Sequence, residues 1–241
     1  MKHQYFGDII DLFKYDLLKT LSEDIRFNEI LFVPMLTEND SSNDGKKRNY
    51  QKAKAGNKNQ ELIKFLEENS EHKHERNAKI IEKYFKQKNI NFRFEPEEIF
   101  TNKKRKVYFS DLVSSLQTSS VKNQLLFFDP DNGMEVKNNN HKHILYSELK
   151  NSLNSICKNS VICVIQFRHR KNWKETLQKK KHDLVKEVSP FTTYIADNNI
   201  VFYLIAKSEK RLNEVEKSLR KYREVYPLLI FNGYIWKNLR S

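Results

Sequence analysis

Two cysteines, five glycines and no long apolar run in 241 residues remove several classes of protein at the outset. Cys157 and Cys163 are too few for a disulfide framework, and they do not have the spacing of a zinc site. Cys163 lies inside an apolar run, where cysteine behaves as a small hydrophobe. No stretch approaches the roughly 18 apolar residues that span a bilayer. The opening "MKHQYFGDII" is charged and interrupted, unlike a secretion signal. A cytoplasmic protein with no membrane partner is therefore expected. The glycines never form G-x-G, so there is no glycine-rich turn of the kind that lets a backbone approach a nucleotide. No repeat of fixed period occurs either.

Positive charge is abundant. Lys and Arg number 44 against 31 Asp and Glu, a formal charge of +13 that is spread along the chain and not gathered in a tail. A basic surface attracts phosphates and releases their counterions, so a nucleic-acid partner is expected. A composition rich in Lys and Asn also follows from AT-biased coding, and charge alone does not separate the two origins. Oligomeric state leaves no mark in the sequence.

Apolar spacing lays out the elements. "DIIDLFKYDLLKTLSED" (8–24) sets Ile10, Phe13, Leu17 and Leu21 three and four residues apart, one stripe of a helix. "NEILFVPML" predicts a strand that stops near Pro34. A polar, turn-rich stretch follows, then helices in "ELIKFLEEN" and "HERNAKIIEKYFKQKN" and a new start at "INFRFEP". Residues 107–120 predict another helix. "QLLFF" (124–128) and "SVICVIQF" (160–167) are continuous apolar strands, with "YSELKNSLNSI" helical between them. "NWKETLQKKKHDLVKEV" is helical, and "FTTYIA" and "IVFYLIA" form a hairpin about a short Asp-Asn-Asn turn. Strands alternating with helices imply a mixed, mostly parallel sheet covered on both faces. One α/β domain over 1–241 is expected, with a polar loop and helical insertion at about 37–90.

Four clusters could carry chemistry. In an open α/β sheet, ligands bind beyond the carboxyl ends of the strands. After "QLLFF" that edge offers Asp129, Asp131 and Asn132, within "DPDNGMEV". Two acids at the end of a buried strand must be solvated, paired or used, although Asp, Pro, Asn and Gly are also ordinary turn residues. After "VICVIQF" it offers Gln166, Arg168, His169 and Arg170, with Lys171 beyond. The third cluster is Gly7-Asp8-x-x-Asp11-x-x-Lys14-Tyr15, three- and four-spaced on a helix, where Asp8 also suits a plain N-cap. The fourth is the loop Thr37-Glu38-Asn39-Asp40 with Asp44-Gly45-Lys46, placed to cover the same crevice. Asp129, Asp131, Asp11 and Lys14 are expected to converge there, and Asp129→Ala to leave folding intact.

Taken together, "YFGDIIDLFKYDLL", "LLFFDPDNGMEV" and "VIQFRHR" resemble a bacterial family marked by a G-D-x-x-D-x-x-K-Y helix, a D-P-D-N-G-L/M-E turn and a basic strand end. Their order is also similar to two groups of methyltransferase-fold proteins, the ribosomal-RNA adenine N6-methyltransferases and the three-Cys-motif partner proteins. The resemblance implies a Rossmann-like, methyltransferase-type fold. It places Gly7, Asp8, Asp11 and Lys14 on the side of an S-adenosylmethionine cofactor, and makes Asp129 and Pro130 the start of a catalytic turn. The chain departs from the adenine methyltransferases in carrying Asp131 and Asn132 where they have Pro and Tyr.

Three functions fit these residues. The first is a nucleic-acid-acting methyltransferase-like protein in which Asp129, Asp131, Asn132, Lys14 and His169 are catalytic and Arg168, Arg170 and Lys171 hold the nucleic acid. The second is a nuclease or phosphodiesterase in which Asp129, Asp131 and Glu135 hold Mg2+, a cation that prefers hard oxygen ligands, while Lys14, His169 and Arg170 steady a phosphate. The third is a binder of nucleic acid or protein without catalysis.

Overall fold

The computed structural model describes residues 1–41, 47–71, 76–168 and 172–232. Three strands form the centre of a sheet: β1 (Glu29–Val33), β3 (Gln124–Phe128) and β6 (Val161–Phe167). β2 (Phe92–Phe94) flanks β1, and β7 (Thr192–Ala196), β8 (Ile200–Ala206) and β9 (Ile230–Asn232) complete the order β2-β1-β3-β6-β8-β7-β9. β2, β1, β3 and β6 pair in parallel, whereas β8 opposes both β6 and β7. Phe128 of β3 lies opposite Val164 of the neighbouring, parallel β6, so the two expected strand ends share one edge. A separate two-stranded ribbon, β4 (Gly133–Met134) with β5 (His143–Ile144), follows the turn after β3.

Every residue of β1 and β3 is buried, because helices cover both faces. Side chains alternate across a strand. Ile30, Phe32, Leu125 and Phe127 therefore pack with α1 (Ile9–Ile25), α2 (Gln60–Glu68), α3 (Ile81–Gln87) and α7 (Glu209–Val225). Leu31, Val33, Leu126 and Phe128 pack with α4 (Arg105–Thr118), α5 (Tyr146–Ser155) and α6 (Trp173–Glu187). Phe32 is the hinge of an aromatic layer, its ring centroid 5.0 Å from that of Phe127 and 5.2 Å from that of Phe94. This is a mixed, Rossmann-like α/β sheet. The strand after β1 lies to one side of it and β3 to the other, which opens a crevice between the carboxyl ends of β1 and β3.

The expected elements are present with two changes of extent. The helix expected across "HERNAKIIEKYFKQKN" is short: a 3-10 turn at Ala78–Ile80 runs into α3, and Asn89 then takes a left-handed backbone that ends it. The helix expected at 107–120 starts two residues earlier, in the basic run.

Candidate functional site

α1 begins where Asp8 caps it. The Asp8 Oδ1 accepts hydrogen bonds from the amides of Ile10 at 2.8 Å and Asp11 at 2.9 Å, so the plain capping role holds. One turn on, Asp11 and Lys14 point toward the sheet edge instead of joining the Phe13–Leu17–Leu21 stripe. The Lys14 ammonium bonds Asp11 Oδ1 at 2.6 Å and Asp129 Oδ2 at 2.7 Å, and all three residues are buried. Asp11 Oδ2 also accepts from the Gly7 amide at 2.9 Å. Burial alone would lower the Lys14 pKa, but the two carboxylates beside it raise it well above the usual lysine range. The lysine is thus a fixed cation that ties α1 to the turn after β3.

That turn is held from three directions. The Asp129 amide donates to Val33 O at 2.9 Å, continuing the β1–β3 ladder. Asp131 faces the Met1 ammonium at 3.4 Å and Lys142 at 3.1 Å, and accepts from the Thr37 hydroxyl at 3.0 Å. Burial opposes ionisation of Asp131, but these cations hold its pKa below the usual carboxylate value. Gly133 leaves the turn with φ +86°, a left-handed backbone that favours glycine. A Cβ there would lie 2.6 Å from Gln166 Oε1, the atom that accepts the Met134 amide at 2.8 Å.

Asp8, Asp11, Lys14, Asp129, Asp131, Asn132 and Arg168 line one crevice of about 740 Å3 at the carboxyl edge. Asp40 lines it too, ion-paired to Lys2, so the loop after β1 does reach the site. Arg168 is exposed at the rim, its amide donating to Asn199 O at 2.7 Å and its guanidinium to Asn198 O at 3.2 Å. His169, Arg170, Lys171 and Asp44-Gly45-Lys46 lie outside the described residues. The sequence did not single out Lys142, Lys47 or Tyr5, which also line the crevice. Lys142 reaches it because the chain returns to lay β5 in parallel beside β4, the Lys142 carbonyl accepting from the Asn132 amide at 2.9 Å. A two-residue ribbon carries no periodic signal.

Two expectations are corrected. Asp129, Asp131 and Glu135 do not form a magnesium site. Glu135 instead accepts from the Tyr146 amide at 2.7 Å, at the start of α5, while Asp129 is taken by Lys14. Among the described residues no three His, Cys, Asp or Glu gather to hold a metal ion. Asp129 is also not a solvent-reached strand end. It is 1% exposed and neutralises a buried cation.

The S-adenosylmethionine expectation can be set against the glycines. Added Cβ atoms at Gly7, Gly56 and Gly133 would collide with Ser70, Leu12 and Gln166 respectively, so each packs against the protein instead of opening a cradle. After β1 the chain runs Pro34-Met35-Leu36, with Met35 and Leu36 buried. Glu95, just past β2, pairs with Arg93. The described residues do not fit that cofactor held in a glycine cradle.

No protein-family model matches the chain, and no curated protein matches it. Among solved structures, human methyltransferase-like protein 13 in complex with SAH is similar at a TM-score of 0.39 and 12% identity, over 94% of each chain. No helix among the described residues is long and apolar enough to cross a membrane.

Proposed function

We propose that this protein of methyltransferase-like fold acts on nucleic acid, and that its working site is the crevice beyond β1, β3 and β6. The observation that carries the reading is the layering of charge there. The floor holds Asp8, Asp11, Asp129 and Asp131 around Lys14, with Lys2 committed to Asp40, whereas the rim carries Lys47, Lys142 and Arg168. Partly exposed Tyr5, Ile9, Ile10 and Phe167 supply flat and apolar wall between them. Such a site suits a nucleotide unit: the rim cations face phosphates, the apolar wall faces a ring, and the acceptor-rich floor faces donor groups on that ring. The formal charge of +13 supplies the longer-range attraction.

The fixed Lys14–Asp129 pair gives the turn a set geometry, the condition for Asp131 and Asn132 to work on a bound group. The test is binding of fluorescent DNA and RNA oligonucleotides over a salt series. Saturable binding whose logarithm falls linearly with the logarithm of salt concentration is expected. Absence of binding in dilute buffer would overturn the reading.

A further inference from the structure

Resting on the nucleic-acid reading, we infer that the strand leaves the crevice on one side only: over the β4–β5 ribbon, across the first turn of α4, and into the groove between α4 and α5. Contacts define the path step by step. Lys142 stands at the crevice rim, and the next residue, His143, accepts from Arg105 Nη2 at 2.9 Å through its carbonyl. The basic run Lys103-Lys104-Arg105-Lys106 therefore abuts the ribbon.

Within that run the charges are not equivalent. Lys104 pairs with Glu98 at 2.9 Å, and Arg105 is held by Glu148. Lys103 and Lys106 are exposed and have no ion-pair partner among the described residues. Lys106 opens onto a groove of about 710 Å3 between α4 and α5, lined along its length by Ser110, Ser114, Gln117, Asn151 and Asn154. The one carboxylate lining it, Glu148, is already neutralised by Arg105. Uncharged donors beside unpaired lysines suit a phosphate–sugar backbone, since hydroxyls and amides donate to phosphate oxygens. An acidic peptide would offer carboxylates only where its sequence places them. A nucleic acid presents a charge at every unit. Val107, 61% exposed, follows Lys106 on α4 and gives bases or sugars an apolar surface there.

The experiment compares Lys103→Ala/Lys106→Ala with Lys210→Ala/Lys217→Ala, which removes two exposed lysines from α7 on the other sheet face. Each is titrated by fluorescence anisotropy with oligonucleotides of about six and about twenty nucleotides, lengths below and above what a single groove holds. The α4 variant is expected to bind the long strand roughly tenfold more weakly, with a salt slope lower by about 2, one per lost phosphate contact. Its affinity for the short strand, which fits the crevice alone, is expected to match wild type, and the α7 variant is expected to match wild type with both. Equal losses in the two variants, or none in the α4 variant, would overturn the path while leaving the nucleic-acid reading intact. Failure of wild-type protein to bind either oligonucleotide would overturn both. Circular dichroism of the variants keeps misfolding apart from lost contact.

Discussion

Lys14 Nζ lies 2.7 Å from Asp129 Oδ2, joining the first turns of α1 to the end of β3 across 115 residues of sequence. Both side chains are buried, and Asp11 completes a group of one cation and two carboxylates. Removing the cation strands two negative charges away from water. Lys14→Met is expected to lower unfolding stability by about 3–5 kcal/mol, the cost of breaking a buried pair from one side. Chemical denaturation of the purified variant measures it. Adding Asp129→Asn to Lys14→Met is expected to recover part of the loss, because one stranded charge is removed; no recovery would show that the pair is not coupled as described.

Asp8 gives the protein a pH dependence. Burial raises its pKa from the ordinary 3.8 to about 7, and the Asp11 carboxylate adds to the shift. Between those values the folded chain holds a proton that the unfolded chain has released, so stability falls as pH rises from about 4 to 7 and levels off above. Asp8→Asn keeps the cap and never ionises. Its advantage over wild type is expected to grow across that window, read from urea midpoints at several pH values; a constant difference would contradict the raised pKa.

The exit from the turn depends on Gly133 and Gln166 together. Gly133→Ala forces a side chain into a left-handed backbone and against the Gln166 amide, and is expected to cost about 1–3 kcal/mol. Gln166→Leu leaves the buried Met134 amide unpaired, with an expected loss of about 1–3 kcal/mol. The double variant is expected to lose less than the sum, since both act on one contact. Thermal unfolding of the three variants checks the non-additivity.

Arg168 donates to backbone carbonyls only through contacts at the exposed rim. Arg168→Ala is therefore expected to leave stability within about 0.5 kcal/mol of wild type. In the oligonucleotide titration it is expected to reduce the salt slope by about 1. An unchanged slope would remove Arg168 from the interface.

The strands were legible because β1, β3 and β6 are continuous apolar runs, which only a sheet covered on both faces tolerates, and their shared edge followed from that arrangement. Asp11, Lys14 and Asp129 were legible as polar positions that the apolar patterns left unexplained. Their state was not: nothing in the spacing says whether an aspartate at a strand end faces water or a buried lysine. Glu135 was misread for the same reason. Its distance from Asp129 in sequence is short, but the Gly133 backbone turns the chain away, and the carboxylate ends on the α5 amide. Lys142 was invisible because the ribbon that delivers it is set by tertiary contacts and has no periodicity.

The span between Lys14 and Asp129 also orders events during synthesis. At roughly 5–20 residues per second, about 6–23 s separate the addition of the lysine from that of its distant partner. Throughout that interval α1 can have only Asp11 beside its cation, and burial of the pair would leave the charge half-compensated. The nascent helix therefore has reason to keep this face in water, or against a chaperone, until β3 has emerged and paired with β1. Any fragment that stops before Asp129 keeps the apolar stripe of α1 but lacks the anion that lets its polar ridge be sealed.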